Sequence, residues 1–112
     1  MAFESLKKKR DFEAVFKKGK AAREGFLFLK VFSNSLARQR FGIIVSQKVS
    51  KKAFARNKVR RRIREAIRKR LPMIKPGVDA VVSVLPGGEK KSFAEIDATV
   101  AKLFVKAKVT KR

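Results

Sequence analysis

The residues of this chain best suited to chemistry are arginines set in one row. Arg56, Arg60, Arg64 and Arg68 recur at every fourth position of AFARNKVRRRIREAIR, Ala53 to Arg68. At about 100° per residue they share one helical flank, with Asn57 and Arg61 just outside it and Lys58, Arg62 and Lys69 on the opposite flank. Like charges four residues apart destabilise an isolated helix, so stability alone does not account for the row. The guanidinium is planar and offers paired donors, which suits bidentate grips on phosphate and stacking on bases. A solvated helix face is the plainer reading of a charge run. Against it, Glu65 is the only acid between Lys48 and Arg70.

A second set is aromatic. Phe12 and Phe16 lie one helical turn apart, and Phe28 and Phe32 share one face of a strand. Aromatic rings beside positive charge make platforms on which unpaired bases stack, at about 1–3 kcal/mol per base. Core burial is the commoner fate of phenylalanine, and the residues alone leave both readings open.

Catalysis by side chains has little to work with. Histidine and cysteine are absent, which removes the usual neutral-pH acid–base, the thiolate ligand and any disulfide. The acids Glu4, Asp11, Glu13, Glu24, Glu65, Asp79, Glu89, Glu95 and Asp97 are scattered, without acid–base or metal-ligand spacing. Gly87-Gly88 reads as a turn, not as a phosphate-cradling loop. No catalytic residue and no metal ligand is assigned; an enzyme containing this chain would need its reactive groups from elsewhere.

Composition points to a polyanionic partner, nucleic acid before an anionic membrane surface. Against 31 Lys plus Arg stand 9 Asp plus Glu, a net charge of +22 on 112 residues. A folded domain so charged repels itself, and a polyanion relieves the repulsion. Nucleic acid is the commonest such partner. With 45% hydrophobic residues the chain can build a core, and its length suits one domain, residues 1–112. Apolar runs such as Phe26 to Leu29 fall far short of the roughly 20 residues of a membrane span. The opening MAFESLKKKRDFEAVF has no apolar stretch after its charges, so no secretion signal and a cytoplasmic location are expected. A membrane-active basic peptide is disfavoured, because the apolar helical stripe is narrow and the strands demand a folded core.

These residues must be carried by regular elements. Phe12, Val15 and Phe16 predict a helix over roughly Lys8 to Lys18, ended by Gly19. Phe26 to Phe32 reads as a strand with Phe26, Phe28, Lys30 and Phe32 on one face and Leu27, Leu29 and Val31 on an aliphatic one. A polar hairpin loop leads to a second strand, Phe41 to Lys48. Ser50 is placed to cap the basic helix, whose stripe Val59, Ile63, Ala66 and Ile67 runs toward an end near Leu71-Pro72. Val78 to Leu85 is apolar enough for a sheet interior. Ser92 and Glu95 have capping-box spacing before a helix carrying Ile96, Val100, Leu103, Phe104 and Ala107. The expected fold is an α+β sandwich of order αββαβα, with helices on a small mixed sheet, with or without one extra short strand near Lys20 to Arg23.

The segment Ala53 to Arg68 resembles the signature of the bacterial ribonuclease P protein. Arg56-Asn57-Lys58 stands for its Arg-Asn-Arg triplet, with lysine in the third place, followed by Val59, Arg60-Arg61 and Ile63-Arg64. Leu6-Lys7-Lys8, Asp11-Phe12, Val15-Phe16-Lys17 and Gly19 resemble the family's first helix, and Arg40-Phe41-Gly42-Ile43 with Val45-Ser46 the strand before the arginine helix. The likeness runs from residue 6 to about 70.

The resemblance implies more than the composition does. It implies that Arg56, Asn57, Lys58, Arg60, Arg61, Arg64 and Arg68 bind a catalytic RNA subunit. Phe12, Phe16, Phe28, Lys30 and Lys48 would hold the 5′ leader of precursor tRNA in a cleft between the first helix and the sheet. A tyrosine is common in the family where Lys30 falls, and this chain has none. Mg²⁺ would accompany the RNA subunit, and no DNA partner is expected. A left-handed β-α-β crossover is implied too, against the general right-handed rule. A structural ribosomal protein, sharing the charge and the lack of catalytic groups, is the alternative.

Overall fold

The computed structural model describes residues 4–111. Met1 to Phe3, the start of the segment read for a secretion signal, and Arg112 lie outside the described residues. The chain forms α1 (Lys9–Lys18), β1 (Lys20–Glu24), β2 (Leu27–Ser33), β3 (Arg40–Ile44), α2 (Ala53–Arg68), β4 (Val78–Val84) and α3 (Phe93–Lys106). Short 3-10 turns occupy Leu71–Met73 and Gly88–Lys90. The extra strand near Lys20 is thus present. It pairs antiparallel with β2 through a two-residue turn whose first residue is Gly25, at φ +56°, where glycine costs nothing.

The sheet order is β1-β2-β4-β3, with β3 and β4 parallel and the other pairs antiparallel. This corrects the expected hairpin between β2 and β3: β4 lies between them. The reason is in the residues of β4, where every side chain but Ser83 is buried. A strand apolar on both faces must lie in the sheet interior. The segment between β3 and β4 contains α2, which gives the β-α-β unit.

Three more boundaries differ from the sequence reading. β3 ends at Ile44, because a turn closed by the Val49 N–H on the Ser46 carbonyl (3.0 Å) buries both Val45 and Val49 and puts Lys48 on the turn. Ser50 does not cap α2; its hydroxyl accepts from the Lys52 N–H (3.2 Å), and the cap residue is Lys52, without a side-chain bond. α2 stops at Arg68, short of Leu71-Pro72. A helical Pro72 would lack its N–H and press on the Arg68 carbonyl. The Ser92–Glu95 capping box of α3 forms as expected, with bonds of 3.2 and 3.0 Å.

α2 and α3 pack on one face of the sheet. There Val59, Ile63, Ala66 and Ile67 meet Ile96, Val100, Leu103 and Phe104 over Leu27, Leu29, Ala80 and Val82. Phe41 stacks on Phe104, ring centres 6.3 Å apart. α1 lies on the other face, over a smaller group of Leu6, Val15 and Val81 with Phe12, Phe32 and Ile44 half-buried around it.

Candidate nucleic-acid interface

Two devices fix α1 on its face of the sheet. Gly42 faces the Phe12 ring, and a β-carbon there would come within 2.5 Å of it. Glycine inside a strand thus marks a close approach. Near the start of α1, Arg40 donates to Asp79 through Nε (2.9 Å) and Nη2 (2.6 Å) and reaches Asp11 of α1 at 3.5 Å. Asp79 is almost wholly buried and also accepts from Asn34 Nδ2 at 2.6 Å, so its charge is answered on both oxygens. Hydrogen bonding to Asp79 raises the pKa of Arg40 above its already high ordinary value. At the far end of α1 the Lys30 ammonium donates to the Phe16 carbonyl (3.0 Å), one of the helix's unpaired acceptors.

α1 covers only part of that face. Strand register puts Arg23, Phe28, Ser83 and Ile44 in one cross-strand row on it. Phe28 and Ile44 remain half-buried, and Phe16 at the end of α1 is 40% exposed. Phe12, Phe16, Phe28 and Lys30 therefore do share one side of the sheet, with Phe12 packed against Gly42 and Phe16 the most open. Lys48 stands on the exposed turn after β3, outside that face. Phe26, expected beside Phe28, lies elsewhere: it precedes β2, packs with the larger core, and carries Lys91 over its ring at 5.6 Å. The turn at Gly25 breaks the alternation before it can reach that residue.

The arginine row is placed as expected and is partly engaged. Val59 and Ile63 point into the core, leaving Arg60 half-buried and Arg61 and Arg64 exposed. Arg56 Nη1 donates to the Ser50 carbonyl (2.9 Å), tying the entry loop to the helix. Arg60 donates to Asn57 Oδ1 one turn back. Arg68 forks onto Glu65 through two bonds of 3.1 and 2.5 Å, which lowers the pKa of the Glu65 carboxyl and raises that of the guanidinium. Lys58 and Arg61 make no side-chain hydrogen bond or ion pair among the described residues. With no side-chain cap, the N-terminus of α2 adds its free amides and the positive end of its dipole to Lys51 and Lys52. A cavity of about 170 Å³ links the two regions, lined by Phe12 and Gly42 on one side and by Arg60 and Arg64 on the other. Phe12 near the start of α1 and one flank of α2 thus border one cavity.

Comparison with known proteins decides what this surface belongs to. The model of the Ribonuclease P family matches residues 1–108. The chain belongs to the ribonuclease P protein family. The ribonuclease P protein component of a Synechocystis strain is 43% identical over 103 residues, covering 91% of this chain and 83% of its own. That of Clostridioides difficile is 39% identical over 99 residues, covering 88% and 86%. Among solved structures, the Staphylococcus aureus ribonuclease P protein superposes with a TM-score of 0.89 at 27% identity, over 99% of this chain and all of that one. The Thermotoga maritima ribonuclease P protein gives 0.82 at 27% identity, over 95% and 97%. Membership favours the ribonuclease P reading over the ribosomal alternative.

For this family member the sequence reading missed two surface residues. Phe54, in the first turn of α2, is 69% exposed with the Lys52 ammonium 5.9 Å from its ring centre. Its position before the arginine row was visible, but only the packing of α2 shows that it faces away from the core. Arg23 lies opposite Phe28, and its place became readable only once β1 was registered on β2. Among the described residues, no helix is long and apolar enough to cross a membrane.

Proposed function

We propose that this chain is the protein subunit of ribonuclease P, assisting a catalytic RNA in the endonucleolytic removal of the 5′ leader from precursor tRNA. α2, with Arg56, Asn57, Lys58, Arg60, Arg61, Arg64 and Arg68, binds the RNA subunit, and exposed Phe54 offers one of its bases a stacking surface. The half-covered sheet face binds the leader: Phe16 and Phe28 stack on unpaired bases, while Lys30 and Arg23 on that face and Lys48 on the turn after β3 attract the phosphates. The RNA subunit with Mg²⁺ supplies the hydrolysis.

The observation that carries the reading is Phe16. It is a large aromatic left 40% exposed at the lip of a face whose opposite side is fully packed. Phe16→Ala should lower affinity for precursor tRNA by about 1–3 kcal/mol if one base stacks there. Affinity for mature tRNA, which has no leader, should hardly change. Binding measured with both ligands on the holoenzyme separates the possibilities. Equal losses for both, together with a large fall in melting temperature, would make Phe16 ordinary core.

A further inference from the structure

At the end of the sheet remote from the Gly25 turn lies a cavity of about 500 Å³. That volume is within the roughly 300–1,000 Å³ typical of ligand sites. Its apolar lining comes from Val31, Phe32, Val78 and Val109, and its rim carries Lys18, Lys20, Lys75 and Lys108. None of the arginines of α2 lines it, and neither do Phe16 and Phe28. No acid lines it either, and among the described residues none of the four lysines forms an ion pair. Four unanswered cations around an apolar floor repel one another, which is a cost unless an anion enters.

The walls are tied together by the backbone. The Lys75 N–H donates to the Val109 carbonyl (2.8 Å), the Lys111 N–H to Met73 (2.7 Å) and the Asn34 N–H to Gly77 (2.8 Å). A cavity held this way exists before any ligand arrives.

Lys108 is the telling residue. At the end of α3 the Lys108 N–H bonds the Val105 carbonyl (3.0 Å) and the Val109 N–H bonds Phe104 (3.2 Å), the paired pattern that closes a helix through a left-handed residue. Lys108 is that residue, at φ +59°, and it is the only non-glycine with positive φ among the described residues. Glycine is favoured at such a position because a β-carbon there is strained. Here the chain carries a lysine instead, on the rim of the cavity.

We propose that this pocket binds an unpaired stretch of RNA, the part of a longer precursor leader that lies upstream of the cleft, with a base against Phe32 and phosphates on the four lysines. This rests on the leader reading above. Charge complementarity selects a polyanion, and the apolar floor selects one with unpaired bases. The path is short: Lys18 follows Phe16 by two residues, so a strand leaving the cleft crosses only the last turn of α1, past exposed Lys17 and Lys18.

The test uses holoenzyme reconstituted with a ribonuclease P RNA and two precursors, one with a leader that ends within the cleft and one longer by several nucleotides. Lys108→Gly removes the cation and the backbone strain together, so its melting temperature should stay level or rise while its affinity for the long-leader precursor falls. Lys20→Ala, at an exposed position, should act in the same direction. Each should flatten the log–log salt dependence by roughly 0.7 for that precursor, the effect of one lost single-strand phosphate contact. Binding of the short-leader precursor should not change. Long-leader affinity and salt slope equal to wild type in both variants would overturn the proposal, as would an equal loss for both precursors. Failure of the leader reading is distinguishable, because then Phe16→Ala would affect neither precursor more than it affects mature tRNA.

Discussion

The two faces of the sheet use the same strands to opposite ends. On one, Leu27, Leu29, Phe41, Ala80 and Val82 disappear beneath α2 and α3. On the other, the single short helix α1 buries Val81 and Val15 and leaves Phe16, Phe28 and Ile44 partly open. The difference shows how a small, highly charged domain can leave apolar surface uncovered. One complete core secures the fold, so the second face need be packed only well enough to hold α1 in place. The half-packed remainder, with cations around it, is then available to ligand. The comparison predicts that substitutions on the closed face cost stability, while those on the open face cost affinity more than stability.

The largest effect belongs to the closed face. Phe104 is fully buried and stacked on Phe41, so it joins α3 to β3 across the core. Phe104→Ala should destabilise by about 3–5 kcal/mol, read from urea unfolding followed by circular dichroism. A cost below about 1 kcal/mol would mean that this face can collapse around the cavity, and it would weaken the claim that one core secures the fold.

Gly42→Ala examines the seam between the faces. The new β-carbon would meet the Phe12 ring at 2.5 Å, and that ring is held between α1 and the sheet. Part of the clash can be relieved by moving the ring, and the rest must move α1. The expected cost is about 1–3 kcal/mol of stability. Since α1 is one wall of the proposed leader cleft, affinity for leader-bearing precursor should fall, with RNA-subunit binding kept. Loss of RNA-subunit binding to the same degree would mean that the two surfaces do not separate at Gly42.

Much of this contrast was readable in the sequence, and what was not has physical reasons. The aliphatic face of β2 and the stripe on α2 follow from periodicity, as does the capping box at Ser92. The neighbour order of the strands does not, because pairing β4 between β2 and β3 depends on long-range burial and not on any local turn. The end of α2 lies before the sequence pattern suggests because Pro72 acts on the carbonyl four residues before it, so the helix stops well before the proline itself. The aromatic set was found by residue type and spacing. Which members stay open was not readable, since Phe16 and Val15 differ only in the angle at which α1 lies on the sheet. Arg40 belongs to a local motif, yet its link through Asp79 and Asp11 joins positions far apart in sequence.

The smallest expected effect sharpens the comparison through charge. Each face has an acid–arginine tie: Asp79 and Asp11 on Arg40 for the open face, Asp97 on Arg70 (2.6 Å) and Lys69 (3.3 Å) for the closed one. On the closed face the tie joins the end of α2 to α3, elements already bound by the core, so it should matter little. Asp97→Asn should cost no more than about 1 kcal/mol at neutral pH. Hydrogen bonding from Arg70, then the nearby charges, holds the Asp97 carboxyl below its ordinary 3.8 despite partial burial. The folded state therefore takes up this proton less readily than the unfolded one. Its contribution is complete above about pH 4 and fades as pH falls through the lower folded value. Urea unfolding of wild type and variant at neutral and strongly acid pH should give a difference that shrinks toward zero in acid. A difference that persists there would mean that Asp97→Asn perturbs packing between α2 and α3, and that even on the closed face a charge helps to set the helices.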